Sequence, residues 1–244
     1  MPDRTSVPMH PQPAGRQRRV AKSWTLRGRG LRGRDPSPKS PRMKRTHRDD
    51  LFTWSAYDEP LHVDFNGFLW KRGAGNVLVD PVALGAADER HLDALGGAAA
   101  ILLTNSSHVR AAREIAARTG ARLLGPAGER ERFPVACESW LADGDEPFPG
   151  LVVRELQGSK TDGELALVLE DTTVVFGDAV RAHRPGALML LAREKLRDPP
   201  ALVESLRRIR RLHPRIEHVL VGDGWCSFRV GGTLLDELLA ALAR

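Results

Sequence analysis

The side chains able to do chemistry in this sequence gather in a few polar turns. Thr104-Asn105-Ser106-Ser107 leads into His108 and Arg110, and Gly158-Ser159-Lys160-Thr161-Asp162-Gly163 leads into Glu164. Gly177-Asp178 precedes Arg181 and His183, and Gly222-Asp223-Gly224 precedes Trp225 and Cys226. Ser106 or Ser107 beside His108 does not amount to a nucleophile and base. No G-x-S-x-G elbow is present, and adjacent residues at a helix start point in different directions. Cys226, in a Gly-bounded turn, reads as a partly buried structural cysteine. Gly73-Ala74-Gly75 precedes a strand and opens no helix, so it fails the context test for a dinucleotide loop. Arg181 and Lys160 suit an anionic ligand.

Such turns need elements to carry them. The apolar run Ala98–Leu103 reads as a buried strand that delivers the turn at 104–107 to a sheet edge. Val109, Ala112, Ile115 and Ala116 then recur at helical spacing. In α/β folds that edge is where binding groups converge. Upstream, six of the thirteen aromatic residues fall between Phe52 and Trp70, and Phe65–Lys71 and Asn76–Asp80 read as a hairpin. A short helix is expected over Asp88–Leu95 and a strand over Ala121–Leu124, which gives the first half a mostly parallel sheet. Residues 125–150 read as loop. In the second half, strands are expected at Leu151–Leu156, Leu165–Leu169, Thr173–Phe176, Ala187–Leu191 and His218–Val221, with helices at Ala201–Leu212 and Thr233–Leu242. The expected architecture is an αββα sandwich, two packed mixed β-sheets flanked by helices.

Composition narrows the classes. Apolar residues at 41% and charged residues at 28% of 244 residues are ordinary for a soluble domain with a sizeable core. No run is long and apolar enough for a membrane span. Two distant cysteines give neither a disulfide framework nor a thiolate metal site, which fits a cytoplasmic location. The net charge of +6 is unevenly distributed: residues 1–48 carry 14 Arg and Lys against two Asp, while the remainder is acidic. Residues 1–48 read as a basic disordered tail and residues 49–244 as the domain. Basic stretches within residues 16–45 could reach nucleic acid phosphates, but without a folded reader motif a solvated tail is the expectation.

The order of these landmarks resembles that of the metallo-β-lactamase fold superfamily of hydrolases. VLVDP resembles the close of the family's opening strands, and LLTNSS the strand and turn that normally read L-T-H-x-H-x-D-H. GSKTDGELALVLEDTTVVFGDAV resembles G-H-T-P-G-H with the hairpin and G-D after it, and VLVGDG resembles V-x-x-G-H-G. The resemblance covers residues 61–242 and implies one or two metal ions, typically zinc, that activate water for hydrolysis. Aligned in this way, Asn105 and Ser107 stand where the first two His belong, and Val109 and Arg110 where the Asp and the next His belong. Glu164 falls near the His of the second motif, and Asp223 replaces the last His. Asp178 alone matches, as the carboxylate that would bridge two metals, and His108 is one position out of register.

Valine cannot ligate, and a guanidinium brings fixed positive charge, so a standard dizinc centre is not expected. Two readings follow. In one, Arg110 and Lys160 fill the charge left by the metals, and the pocket is a binding site for a small molecule or a structural remnant. In the other, the site is rebuilt. Glu164, Asp178, Asp223 and either His108 or His183 then form an oxygen-rich shell for Mg²⁺ or Mn²⁺, with Zn²⁺ less suited, and ester or thioester hydrolysis persists. In both, Asp178 and Asp223 are the central candidates.

Overall fold

The computed structural model describes residues 42–243. Most of the expected tail, and nearly all of the stretch weighed for nucleic acid, lies outside the described residues. Its last part does not behave as a tail. Met43 is buried, its amide donates to Asp88 Oδ1 at 2.8 Å, and β1 (Lys44–Arg45) pairs antiparallel with β2 (Leu51–Asp58). The domain therefore includes residues 43–48, which the expected boundary at 49 left out. One buried methionine and two paired backbone residues leave little compositional trace.

Seven strands form the first sheet in sequence order. After β1 and β2 come β3 (Val63–Trp70), β4 (Val77–Val79), β5 (Ala100–Leu102), β6 (Arg122–Pro126) and β7 (Ser139–Leu141). Pairing is antiparallel from β1 to β4 and parallel from β4 to β7, so the sheet is mixed. The expected hairpin of β3 and β4 is present. Its longer neighbour β2 runs through the aromatic cluster, where Trp54 is buried and donates Nε1–H to Val82 O at 3.0 Å. β7 lies inside the stretch expected to be loop. Helices α1 (Ala86–Ala94) and α2 (Ala112–Thr119) cross between strands, and α2 stops at Gly120, whose φ of 74° suits a residue without a Cβ.

The second sheet holds β8 (Leu151–Glu155), β9 (Leu165–Leu169), β10 (Thr173–Phe176) and β13 (His218–Val221), in the order β13-β10-β9-β8. Between β10 and β13 the chain forms a separate hairpin, β11 (Val180–Arg184) with β12 (Ala187–Leu190), and then α3 (Pro199–Leu212). Asp198 caps α3 by accepting from Ala201 N at 3.1 Å, and Pro199 and Pro200 fit a first turn whose amides need no partner. Helix α4 (Gly231–Ala241) closes the fold.

Three apolar layers hold these elements together. Phe68, Val77, Val79 and Leu102 of the first sheet meet Leu151, Leu165, Leu167 and Leu220 of the second. Leu69, Leu78 and Ile101 face outward onto Leu92 of α1 and Ala112 and Ile115 of α2. Val168, Val174, Phe176 and Val219 face Leu202, Leu206 and Ile209 of α3 and Leu235 of α4. The expected αββα sandwich is thus present. Each fully buried aliphatic side chain contributes roughly 1.5–3 kcal/mol before the entropy of ordering is set against it. Strands β4, β5, β10 and β13 all end at one edge, and their last residues lead directly into Asp80, Thr104–His108, Gly177-Asp178 and Gly222-Asp223. Among the described residues no helix is long and apolar enough to cross a membrane.

Candidate functional site

A cleft of about 630 Å³ opens over that edge. Two strand ends of the first sheet build one side of its floor. Asp80 is buried, and its Oδ1 accepts from Thr104 N at 2.8 Å. Its Oδ2 takes the Thr104 hydroxyl and lies 2.7 Å from His108 Nδ1. Asn105 caps the 3-10 turn Ser106–His108 by accepting from Ser107 N at 2.9 Å, and this turn swings the His108 ring inward. His108 is therefore drawn in from the surface. It is a buried imidazole held by a carboxylate, with its Nε2 turned toward the cleft.

Arg110 meets that nitrogen. Its Nη2 lies 3.2 Å from His108 Nε2 and 3.4 Å from Asp223 Oδ1, while its Nη1 donates to Asn66 O at 2.8 Å and Asp80 O at 3.2 Å. Asp80 and Arg110 both hold positive φ, 45° and 40°. Such a conformation costs an L-residue roughly 1–2 kcal/mol, which the hydrogen bonds made by the two side chains offset.

Ends from the second sheet build the other side. Asp178 and Asp223 are both buried. Arg181 Nη2 reaches both, 2.9 Å from Asp178 Oδ1 and 2.6 Å from Asp223 Oδ2, and Lys160 Nζ donates to Asp178 Oδ2 at 3.0 Å. Burial alone would raise the Asp178 carboxyl. His108, Lys160 and Arg181 outweigh it and hold that carboxyl below the usual carboxylate range. The principal cation of the acid pair is thus Arg181. Arg110, expected to fill that place, makes its shortest bonds to backbone carbonyls.

The remaining candidates separate. Ser107 and His183 line the cleft, but Glu164 and Asn105 do not. Glu164 is fully buried behind the floor, bonded by the Ser159 hydroxyl and by Ala179 N at 2.8 Å. Desolvation, with Asp178 adding to it, pushes its carboxyl up to about 7 against those two hydrogen bonds. Glu164 therefore supports the floor and does not project into a shell. His183 sits on strand β11 and is exposed at the rim. His108 Nε2 is 3.9 Å from Asp178 Oδ1. Among the described residues no group of three or more His, Cys, Asp or Glu is arranged to hold a metal ion.

Two residues outside the expected set complete the site. Asn66 donates Nδ2–H to Val221 O at 2.9 Å and Gly224 O at 2.7 Å, pinning the turn that carries Asp223 against β3. Asp80 holds His108. Val79 stands opposite Leu102 in the parallel register of β4 and β5, which brings the Asp80 carboxylate within reach of Thr104. Gly222 makes the arrangement possible, since a Cβ there would lie 2.6 Å from His108 Cε1. Cys226 is half-buried and its thiol is pushed up to about 12 by desolvation, which matches a structural cysteine.

Comparison with known proteins gives the same architecture. No curated protein sequence matches the chain. Among solved structures, DIM-1 metallo-beta-lactamase superposes with a TM-score of 0.66 at 12% identity, over 83% of this chain and 98% of the other. The metallo-beta-lactamase FIM-1 from Pseudomonas aeruginosa in the mono-zinc form gives 0.65 at 14% identity, over 85% and 98%. A metallo-beta-lactamase from Pontibacter korlensis gives 0.63 at 16%, over 82% and 99%. Identities this low establish the fold and nothing finer. The family model described as the metallo-beta-lactamase superfamily matches residues 43–242, from the buried Met43 to the end of the last helix, and the chain belongs to that superfamily.

Proposed function

We propose that this chain is a metal-independent member of its superfamily that uses the family's pocket as a binding module. One observation carries the reading: the Arg181 guanidinium lies against both Asp178 and Asp223, the two carboxylates best placed to ligate a metal. Family members hold zinc with neutral imidazoles and free carboxylates around an open position for water. Here the donor set does not fit that role. The oxygens of both carboxylates are taken by Arg181, Lys160 and Arg110. His108 Nε2 lies 3.2 Å from the Arg110 guanidinium while its other nitrogen meets Asp80. A divalent cation would have to displace two guanidinium groups from a partly desolvated floor, against their repulsion.

This arrangement supports no hydrolytic step. On the floor Asp178 and Asp223 are held by cations and His108 lies between Asp80 and Arg110, so none of these three is free to take a proton from water. The groups instead form a preorganised charged surface under an open cleft. The experiment is a hydrolysis screen of β-lactams, esters, thioesters and phosphodiesters, with zinc, with manganese and with chelator. The expected result is turnover no faster than that of an Asp178→Ala/Asp223→Ala variant and no effect of chelator. Chelator-sensitive turnover well above that variant would instead establish the rebuilt hydrolase centre.

A further inference from the structure

We infer that the cleft takes an amphiphilic anion, a molecule with a carboxylate or phosphate head and an apolar body. The inference rests on the metal-independent reading of the same site and adds the chemistry of the ligand.

Unused donors line one wall. Lys160 makes one bond to Asp178, so two of its ammonium hydrogens remain for the cleft. Arg181 bonds the acids through Nη2 and leaves Nη1 with no acceptor among the described residues. Lys195, exposed on the same rim, has no acidic partner among the described residues. The lining carries four fixed cations, Arg110, Lys160, Arg181 and Lys195, against the three carboxylates Glu114, Asp178 and Asp223. The two aspartates are already bonded, so the surplus consists of unfilled N–H donors with positive charge, which an oxyanion satisfies.

A second stretch of the lining is apolar. Leu61, Val63 and Phe65, at alternate positions leading into and along β3, line the cleft together with Val82. Leu61 is 65% exposed, apolar surface that a bound hydrocarbon would cover. A second cleft of about 570 Å³ shares Leu61, Val63 and His183 with the first and continues to the exposed Trp225. An apolar body longer than the first cleft thus has a path along β3 from the cationic rim toward that indole. Small inorganic anions leave this stretch bare, and cationic amphiphiles meet the wrong charge.

Isothermal titration calorimetry on chelator-treated full-length protein tests this with decanoate and decyl phosphate, decyltrimethylammonium, acetate and inorganic phosphate. Saturable binding of decanoate or decyl phosphate, at least about tenfold tighter than any control, is expected, and the better of the two identifies the head group. Lys195→Glu should weaken that binding by about fivefold or more and Glu114→Gln should strengthen it. Both positions are exposed, and unchanged melting curves verify the fold. Equal affinity for decyltrimethylammonium, no saturation by either anion, or indifference to both substitutions overturns the inference. If the anions bind only after zinc loading, the metal-independent reading fails with it. If no probe binds with or without zinc, only the ligand class fails.

Discussion

The two sides of the floor satisfy their buried acids differently. On the first sheet Asp80 is enclosed by a backbone amide, a hydroxyl and an imidazole, all within a few residues of strand ends locked in parallel register. On the second sheet Asp178 and Asp223 are balanced by long cationic side chains that enter from the cleft. The first arrangement is scaffold: short, directional and shielded from salt and ligand. The second is adaptable, since an ammonium or guanidinium can exchange one oxyanion for another without rearranging the backbone. Adaptability on that side is what a binding cleft requires.

The largest expected effect comes from removing the shared cation. Arg181→Met leaves Asp178 and Asp223 facing each other with weaker compensation, and should cost about 3–5 kcal/mol in urea denaturation. Adding Asp223→Asn to that variant should recover much of the loss. If Arg181→Met is neutral, the adaptable side does not depend on its ion pairs and the contrast between the two sides collapses. On the scaffold side, Asp80→Ala should cost about 2–4 kcal/mol through an unpaired His108 and Thr104. That loss should be the same in low and high salt, whereas the Arg181→Met loss should shrink as salt rises.

Acid and base titration sharpens the contrast further. Glu164 binds its proton more tightly folded than unfolded, so folding is favoured by its protonation. That contribution is present below the ordinary glutamate range near 4.5 and is lost as pH rises toward about 7. Its full span is at most about 3 kcal/mol. Glu164→Gln, which can keep an acceptor for Ala179 N, should flatten stability between those limits, as pH-dependent chemical denaturation would reveal. Asp178 has the opposite sign: its carboxyl is held low, so its contribution is lost only as pH falls below the usual carboxylate range. The smallest effect is expected for Lys160→Met. Its ammonium is 38% exposed and shares Asp178 with Arg181, so the loss should stay under about 1 kcal/mol.

Much of the fold was legible because its strands are dense apolar runs ended by polar turns. VLVD, AILL, LALVL, TVVF and HVLV each became a strand in the expected place. The hairpin β11–β12 was half missed because Arg181, His183 and Arg184 break any apolar pattern. Its position depends on distant backbone bonds, Ala182 N to Asp223 O at 3.2 Å and Trp225 N to Ala182 O at 2.8 Å. β2 was missed although Phe52, Trp54 and Ala56 alternate with Thr53, Ser55 and Tyr57, the period-two pattern of a half-buried strand. In the site, the ionisable residues at the turns were legible by type. Which cation meets which acid was not. Arg181 outranks Arg110 because the hairpin turns its guanidinium between the two acids, while the positive φ at Arg110 aims that side chain at carbonyls. The pairing of Asp80 with His108 spans 28 residues and follows from strand register, which no local motif displays.

The most direct test is metal content by elemental analysis of tag-free full-length protein. The protein would be incubated with zinc, manganese and magnesium in turn and then freed of unbound ion by gel filtration. If guanidinium and ammonium groups have taken the place of a metal centre, every sample should hold well under about 0.1 ion per chain, as should an Asp178→Ala/Asp223→Ala control. About one ion or more per chain, lost in that control, would contradict the account and return the site to metal-dependent hydrolysis.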